Sequence, residues 1–490
     1  MEIIESARPG LAVLVSLLAV ILIGVSGRYP NLREGWTILA SLIKFGLVVS
    51  MLPTILEGKV IEYHLATILP GLDLAFKVDA LGMTLALTAS FLWIITSVYA
   101  IGYMRSLDEH AQTRFFMCFA IALSAAMGAA FAANIFTLFV FYEVITVSTY
   151  ALVAHEETPA AIKGARRYLT YLLGTSILFF LPAMFLTYNY AGTLDFASHG
   201  ILAGTAPNAV IAVIFVLFIA GIGKAGMMPF HLWLPAAMVA PTPVSALLHA
   251  VAVVKVGVFT VLRIVLFVFG VDLLQEIGLG TLLAYFASFT IIVASIIALR
   301  QDNLKLRLAY STVSQLSYIV LAVALLTPSG ITSSIIHITI HAFGKITLFF
   351  VAGAIYVATH KKYISQMNGI GKKMPFTMAA FTVGALSMIA VPPVGGIVSK
   401  WYLTLGAIEA DMLPILGVIV LSTLLNAAYF LPIIYAAFFK NPPEEDGQGV
   451  QEAPPMVVVP LVLTAIGAIT LFFYPALLLD LAKMVVALVV

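Results

Sequence analysis

Apolar residues run through this chain in long blocks, separated by short clusters of charge, proline and glycine. A helix needs about 20 apolar residues to cross the hydrocarbon of a bilayer. Stretches of that length recur from end to end. They predict about fourteen crossings, at 9–27, 35–56, 78–104, 114–132, 133–153, 160–190, 208–234, 241–268, 276–299, 304–326, 331–358, 376–408, 412–439 and 455–474. Few residues are left for water. Residues 57–77 are mixed in character and predict a short β-hairpin. Residues 440–455, rich in proline and acid, predict a solvated loop. The expected fold is therefore an all-α polytopic membrane protein, one integral domain over residues 1–490. Its parts are N-terminal helices in 1–113, a first five-helix group in 114–268, a second in 276–439, and a loop with the last helix in 440–490.

Composition agrees. The chain is 62% hydrophobic and 10% charged, where a soluble domain carries about 25% charged residues. Charge placement then orients it. Fifteen Lys and Arg residues fall in loops after odd-numbered crossings, against four in the other loops and termini. That bias puts the fifteen in the cytoplasm and both termini outside, as expected for a prokaryotic cytoplasmic membrane. The first block is not expected to be a cleaved leader, because its flank, MEIIESARPG, holds two acids and its positive charges follow it. A net charge of +2 offers no nucleic-acid surface. Cys118 is the only cysteine, so no disulfide or iron–sulfur ligand set exists within the chain. Redox chemistry, if any, belongs to another subunit, and no cofactor or metal is expected in this one.

Two crossings are interrupted. The seventh reads FIAGIGKAGMMPFHLWLPAAMVAPTPV, with Lys224 shortly before Pro229. The twelfth reads LSMIAVPPVGGIVSKWYLTLGA, with Lys400 shortly after Pro392, Pro393, Gly395 and Gly396. Proline inside a helix removes a hydrogen bond and clashes with the preceding turn, and in lipid the freed groups must be satisfied by protein or water. Paired interruptions at corresponding positions point to a transporter built from inverted repeats. The alternative is a pair of simple kinks. The segment GIGKAG at 221–226 matches a dinucleotide-binding fingerprint only literally: it lies in an apolar helix with no preceding strand.

Ionisable residues inside apolar blocks are costly and mark pathways. Glu143 is the one acid of 23 deep within such a block, LFVFYEVITVSTYALV. Six of the 25 bases also lie in apolar segments: Lys44, Lys224, Lys255, Arg263, Lys345 and Lys400. Lys44 and Arg263 are expected to snorkel to the interface. In the eleventh crossing His337, His341 and Lys345 are four apart and share a helix face. The eighth adds His249 and Lys255. A metal at the histidines lacks a completing carboxylate or cysteine. A buried lysine titrates according to its desolvation and its distance from a carboxylate. The expected route therefore pairs Glu143 with Lys224, runs through Lys255, His249, His337, His341 and Lys345, and ends at Lys400. Hydroxyls such as Tyr142, Thr146, Ser148, Thr149, Ser311, Thr312, Ser314 and Ser317 are candidate water holders or simple helix-packing groups.

The segments FVFYEVITVSTYAL, KAGMMPFHLWLPAAMVAPTPVSALLHAVAVVKVGVF, DNLKLRLAYSTVSQLSY, HITIHAFGKITLFF and VPPVGGIVSKWYL, across roughly residues 75–440, resemble the antiporter-like subunits. That family is shared by respiratory complex I, Mrp-type multisubunit cation/proton antiporters and membrane-bound hydrogenases. The resemblance implies fourteen helices with two inverted five-helix repeats. It implies functional roles for Glu143, Lys224, Lys255, His337, His341, Lys345 and the terminal Lys400. The length resembles the shorter, D-type member of the Mrp antiporters. The expected function is proton or cation/proton translocation beside other membrane subunits, with sodium a second candidate ion. A pumping subunit of a redox-driven complex and a non-conducting scaffold are the competing readings.

Overall fold

A computed structural model describes residues 2–69, 71–443 and 449–490 of the chain. Its helices of 14 residues or more follow the apolar blocks closely. They are α1 (Arg8–Val25), α2 (Pro30–Leu56), α3 (Ala80–Ser106), α4 (Gln112–Ala130), α5 (Ile135–Val153), α6 (Pro159–Ala191), α7 (Asn208–Gly221), α8 (Thr242–Phe269), α9 (Leu279–Leu299), α10 (Leu304–Ala324), α11 (Pro328–Thr359), α12 (Pro375–Ile389), α13 (Gly396–Glu409), α14 (Leu413–Phe439), α15 (Pro455–Phe473) and α16 (Ala476–Val489). Among the described residues, twelve are long and apolar enough to cross a membrane: α1 to α6, α8 to α11, α14 and α15. The two interrupted stretches hold shorter helices. One is α7 with the short helix Trp233–Ala236, the other α12 with α13. The expected fourteen crossings require each interrupted stretch to cross once.

The hairpin expected at 57–77 is present. Strands β1 (Ile3–Glu5), β2 (Val60–Leu69) and β3 (Leu72–Val78) form one sheet, with β1 parallel and β3 antiparallel to β2. Both chain ends lie on the sheet's side, since Val485 and Leu488 of α16 line a cleft with Gly58, Lys59 and Val60. Helix α16 itself was not anticipated. It packs against α3 and α11. Of the acidic loop at 440–455, residues 444–448 lie outside the described residues.

A structural echo relates the two halves. The Asn134 side chain caps α5 by accepting from Thr137 N, and Thr158 caps α6 by accepting from Ala161 N. Asn303 caps α10 from Leu306 N, and Thr327 caps α11 from Gly330 N. The interval from Asn134 to Thr158 equals that from Asn303 to Thr327. Each Asn also makes an isolated β-bridge to the segment beyond the second helix, Asn134 to Asp195 and Asn303 to Tyr363. Asn134 sits at the sheet face, where its amide donates to Asp73 O. Asn303 and Tyr363 sit at the opposite face, in a cleft shared with Glu156 and Thr158.

Two sequence expectations are corrected. Arg263 does not snorkel. It is 2% exposed, ringed by Phe196, Phe259 and Phe267, and paired with both oxygens of Asp79 at 2.5 and 2.7 Å. Asp79 also caps α3 through Gly82 N at 2.8 Å. Lys44 does not snorkel either. It is fully buried, donates to Leu123 O at 2.9 Å and lies 4.7 Å from the Trp93 ring centroid. At the other face, buried Glu34 is held by Arg33 and Arg105.

Replacing one partner of a buried pair strands the other charge, at a cost of about 3–5 kcal/mol. Asp79→Asn is therefore expected to lower the thermal midpoint of the detergent-solubilised protein markedly, with partial recovery in Asp79→Asn/Arg263→Met. Melting of Asp79→Asn at the wild-type temperature would remove this pair from the framework.

Candidate functional site

The first interruption begins where α7 ends at Gly221. A single 3-10 turn, Gly223–Ala225, follows, and Gly226 takes φ +69, a left-handed conformation open to glycine at little cost. GIGKAG is thus the unwound segment itself. The exposed backbone finds side-chain partners. Lys224 N donates to Tyr142 Oη at 3.1 Å, and Trp233 Nε1 donates to Gly223 O at 2.9 Å. Gly257 of α8 packs directly on the Lys224–Ala225 backbone, so any side chain there would collide with it. The buried Lys224 ammonium donates to Thr146 Oγ1 at 2.5 Å and lies 3.3 Å from the Tyr142 ring centroid.

The second interruption, between Ile389 and Gly396, is stitched the same way. Gln315 and Asn426 each donate to Met388 O at 3.2 Å. Lys400 donates to Ile389 O at 3.3 Å and to Thr423 Oγ1 at 2.9 Å, with the Tyr318 ring centroid 5.1 Å away. Gly395 N donates to Ala468 O. Pro229 and Pro393 are each preceded by a cis peptide bond. In both breaks a lysine stands at the carbonyl end of the first half-helix, the end whose dipole favours a cation.

Between the breaks lies a buried polar set on α8, α10, α11, α13 and α14. Lys255 Nζ bonds His341 Nδ1. The His341 and His337 rings stand one turn apart, 5.8 Å between centroids. His337 Nδ1 meets Ser399 Oγ at 2.7 Å, and its Nε2 meets Gln315 Oε1 at 3.2 Å. Ser399 is the neighbour of Lys400, so the set reaches the second break. A branch runs from Lys345, which donates to Ser311 Oγ at 2.8 Å. The Ser311 and Tyr429 hydroxyls meet at 2.9 Å, and Tyr429 in turn donates to Asn426 Oδ1. The three-residue face read from His337, His341 and Lys345 is wholly buried.

Glu143 and His249 stand apart. Neither carboxylate oxygen of Glu143 and neither ring nitrogen of His249 has a hydrogen-bond partner among the described residues. No ion pair within 4 Å joins Glu143 to Lys224; the lysine is held by Thr146 and Tyr142 instead, with Glu143 close enough to act on it by charge. His249 lies in a π-helical turn, Leu247–Val251, against Phe349. The hydroxyls divide. Thr146 and Ser311 carry lysine contacts, Thr149 bonds Tyr168, and Ser314 bonds Ser295. Ser148, Thr312 and Ser317 bond carbonyls of their own helices. Sequence reasoning missed Gln315, Ser399, Thr423, Asn426 and Tyr429. Two of them were visible as amides inside apolar runs, TVSQLSYIV and STLLNAAYF.

With this geometry in place, comparison with known proteins identifies the class. A family profile described as NADH:quinone oxidoreductase/Mrp antiporter, transmembrane, matches residues 132–426. The chain is 32% identical over 443 residues to NADH-quinone oxidoreductase subunit N of Desulforudis audaxviator (strain MP104C), covering 86% of each chain. It is 31% identical over 421 residues to hydrogenase-4 component B of Escherichia coli (strain K12), covering 80% of this chain and 61% of that one. Among solved structures, the membrane-bound sulfane sulfur reductase (MBS), an archaeal respiratory membrane complex, superposes with a TM-score of 0.88 at 25% identity, over 99% of this chain and 98% of the other. The Mrp complex from Dietzia sp. DQ12-45-1b gives 0.88 at 22% identity, over 99% and 97%, a likeness of fold. The chain belongs to the antiporter-like family of membrane subunits shared by complex I, Mrp and hydrogenase-type complexes.

If Lys255 and His341 act as one unit, their effects should not add. Lys255→Met and His341→Phe are each expected to lower proton transport by the reconstituted complex, and the double variant to lower it no further. Additive losses in that cycle would separate the two residues.

Proposed function

We propose that this chain conducts protons as the antiporter-like subunit of a multisubunit membrane complex. The observation that carries the reading is the buried polar set itself. Lysine, imidazole, amide and hydroxyl groups run from Lys255 through His341, His337 and Ser399 towards Lys400 at the second break. Glu143 and Lys224 form the gate at the first break, with Tyr142 and Thr146 as the groups that release the lysine when the carboxylate approaches. Such an exchange would load and unload Lys224. Histidine suits the middle because one ring nitrogen can donate while the other accepts.

The paired caps at opposite faces support an inverted relation between residues 114–268 and 276–439. The excess of positive loops supports a cytoplasmic position for the face opposite the sheet, and thus both termini outside a prokaryotic cytoplasmic membrane. Two assemblies remain in play. One is an Mrp-type exchanger, with this chain as its D-type member; sodium would then need oxygen ligands from neighbouring subunits. Matching of the Desulforudis oxidoreductase subunit over 86% of both chains favours a redox-driven pump. Mass spectrometry of the complex purified in mild detergent separates them: iron–sulfur or flavin subunits identify the pump, and small membrane subunits with a large antiporter homologue identify the exchanger.

Glu143→Gln is expected to abolish proton transport while the complex assembles normally, and Lys400→Ala to block the far end of the route. Wild-type transport in Glu143→Gln would refute the gate, and wild-type coupling in Lys400→Ala would remove that residue from the path. Normal transport in both would leave a scaffold as the surviving reading.

A further inference from the structure

On the face opposite the sheet, three side chains outside the transport route converge. Glu109 and His110 lie in the loop between α3 and α4, and His155 lies in the turn after α5. One ligand-capable atom from each falls within 4.8 Å of the others. The His155 and His110 rings stack with centroids 4.8 Å apart, and His155 Nε2 is 3.8 Å from Glu109 Oε2. His155 is fully buried, yet both of its ring nitrogens lack a hydrogen-bond partner among the described residues. Burying an imidazole with neither nitrogen bonded is costly, and native interiors seldom leave such groups orphaned. The ring is aimed at a carboxylate and a second imidazole rather than packed away from them. The nearby cation, Arg114, is engaged elsewhere: it pairs with Glu157 at 2.5 Å and donates to His155 O at 3.3 Å. Glu156 and Glu157 add negative charge around the turn.

We propose that Glu109, His110 and His155 bind a divalent metal ion of the zinc class. Two imidazoles and one carboxylate are the donor set that borderline cations such as Zn²⁺ prefer, and three protein ligands leave a position for water. Hard cations such as Mg²⁺ or Ca²⁺ would want more oxygen ligands. The separations exceed those of a closed site, so binding draws the exposed His110 inward onto the fixed His155. The consequence is a clamp between the α3–α4 loop and the end of α5, the helix that carries Glu143. The sequence reading weighed metal only at His337 and His341. There the structure gives three of the four ring nitrogens to Lys255, Ser399 and Gln315; His341 Nε2 has no partner among the described residues, and no carboxylate stands beside it to complete a site.

The test is zinc binding by the purified complex, prepared without a histidine tag and stripped with chelator. Equilibrium dialysis against buffered micromolar Zn²⁺, with metal counted by mass spectrometry, is compared for wild type, His110→Ala and His155→Gln. His110 is exposed, so His110→Ala is expected to fold normally and to melt like the metal-free wild type. Loss of an outer-shell partner alone weakens metal sites about 10–100-fold, so loss of a ligand should weaken binding at least that much in both variants. Metal-dependent stabilisation of the wild type, absent in His110→Ala, would support the clamp. Equal zinc binding by wild type and His110→Ala, or no binding by the wild type at micromolar zinc, would overturn the proposal.

Discussion

Hydrocarbon offers no hydrogen bonds, so every backbone group freed by a broken helix, and every cation buried beside it, must find a partner in the protein. That constraint organises the middle of this molecule. At the first break the freed groups go to Tyr142 and Trp233. At the second they go to Gln315, Asn426 and Lys400. Side chains that repair the backbone also belong to the buried polar set. Tyr142 both accepts from Lys224 N and faces its ammonium, while Gln315 both caps Met388 O and meets His337. Repairing the helices and building a polar path are the same act of packing.

The polarity of the breaks adds a second layer. A half-helix that ends inside the membrane points its last carbonyls at whatever follows, and those carbonyls favour positive charge. Lys224 follows the end of α7, and Lys400 reaches back to the last residue of α12. Two separate segments have thus arrived at one solution, and the groups between them are chiefly imidazoles and hydroxyls that can stay neutral. The matched Asn and Thr caps at opposite faces extend the likeness from the breaks to the helices around them.

Much of this was legible in the sequence because lipid makes the hydrophobic signal strong. The helix limits follow the apolar blocks, and the hairpin and both breaks fall where composition placed them. What could not be read were partners. Lys44 and Arg263 look like snorkelling residues when only their own helices are considered. Their fates were set by Leu123 and Asp79, far along the chain. Asp79 gave little warning, because a carboxylate at a helix start reads as a cap. The direct Glu143–Lys224 pair suggested by opposite charge gave way to Thr146, a hydroxyl one turn from Tyr142 whose role no spacing rule would reveal. Helix α16 follows Pro475 immediately after α15 and was hidden because it extends an apolar tail too short to cross.

The buried charges fall into two populations, and their difference says what each is for. Asp79 with Arg263, and Glu34 with Arg33 and Arg105, sit near the faces as opposite charges in direct contact. A salt bridge of that kind resists any change of protonation, because neutralising one partner strands the other. Lys224, Lys255 and Lys345 are fully buried and Lys400 is half-buried, and none has a carboxylate within ion-pair distance among the described residues; their partners are hydroxyls, an imidazole and a carbonyl. Such partners can serve the charged lysine and, with a turned hydroxyl or a changed tautomer, the neutral one. Lys44 is also unpaired, but it meets only one carbonyl and an indole ring, a contact that joins no chain. The division places fixed charge where the bundle must be held and adjustable charge along the proposed route.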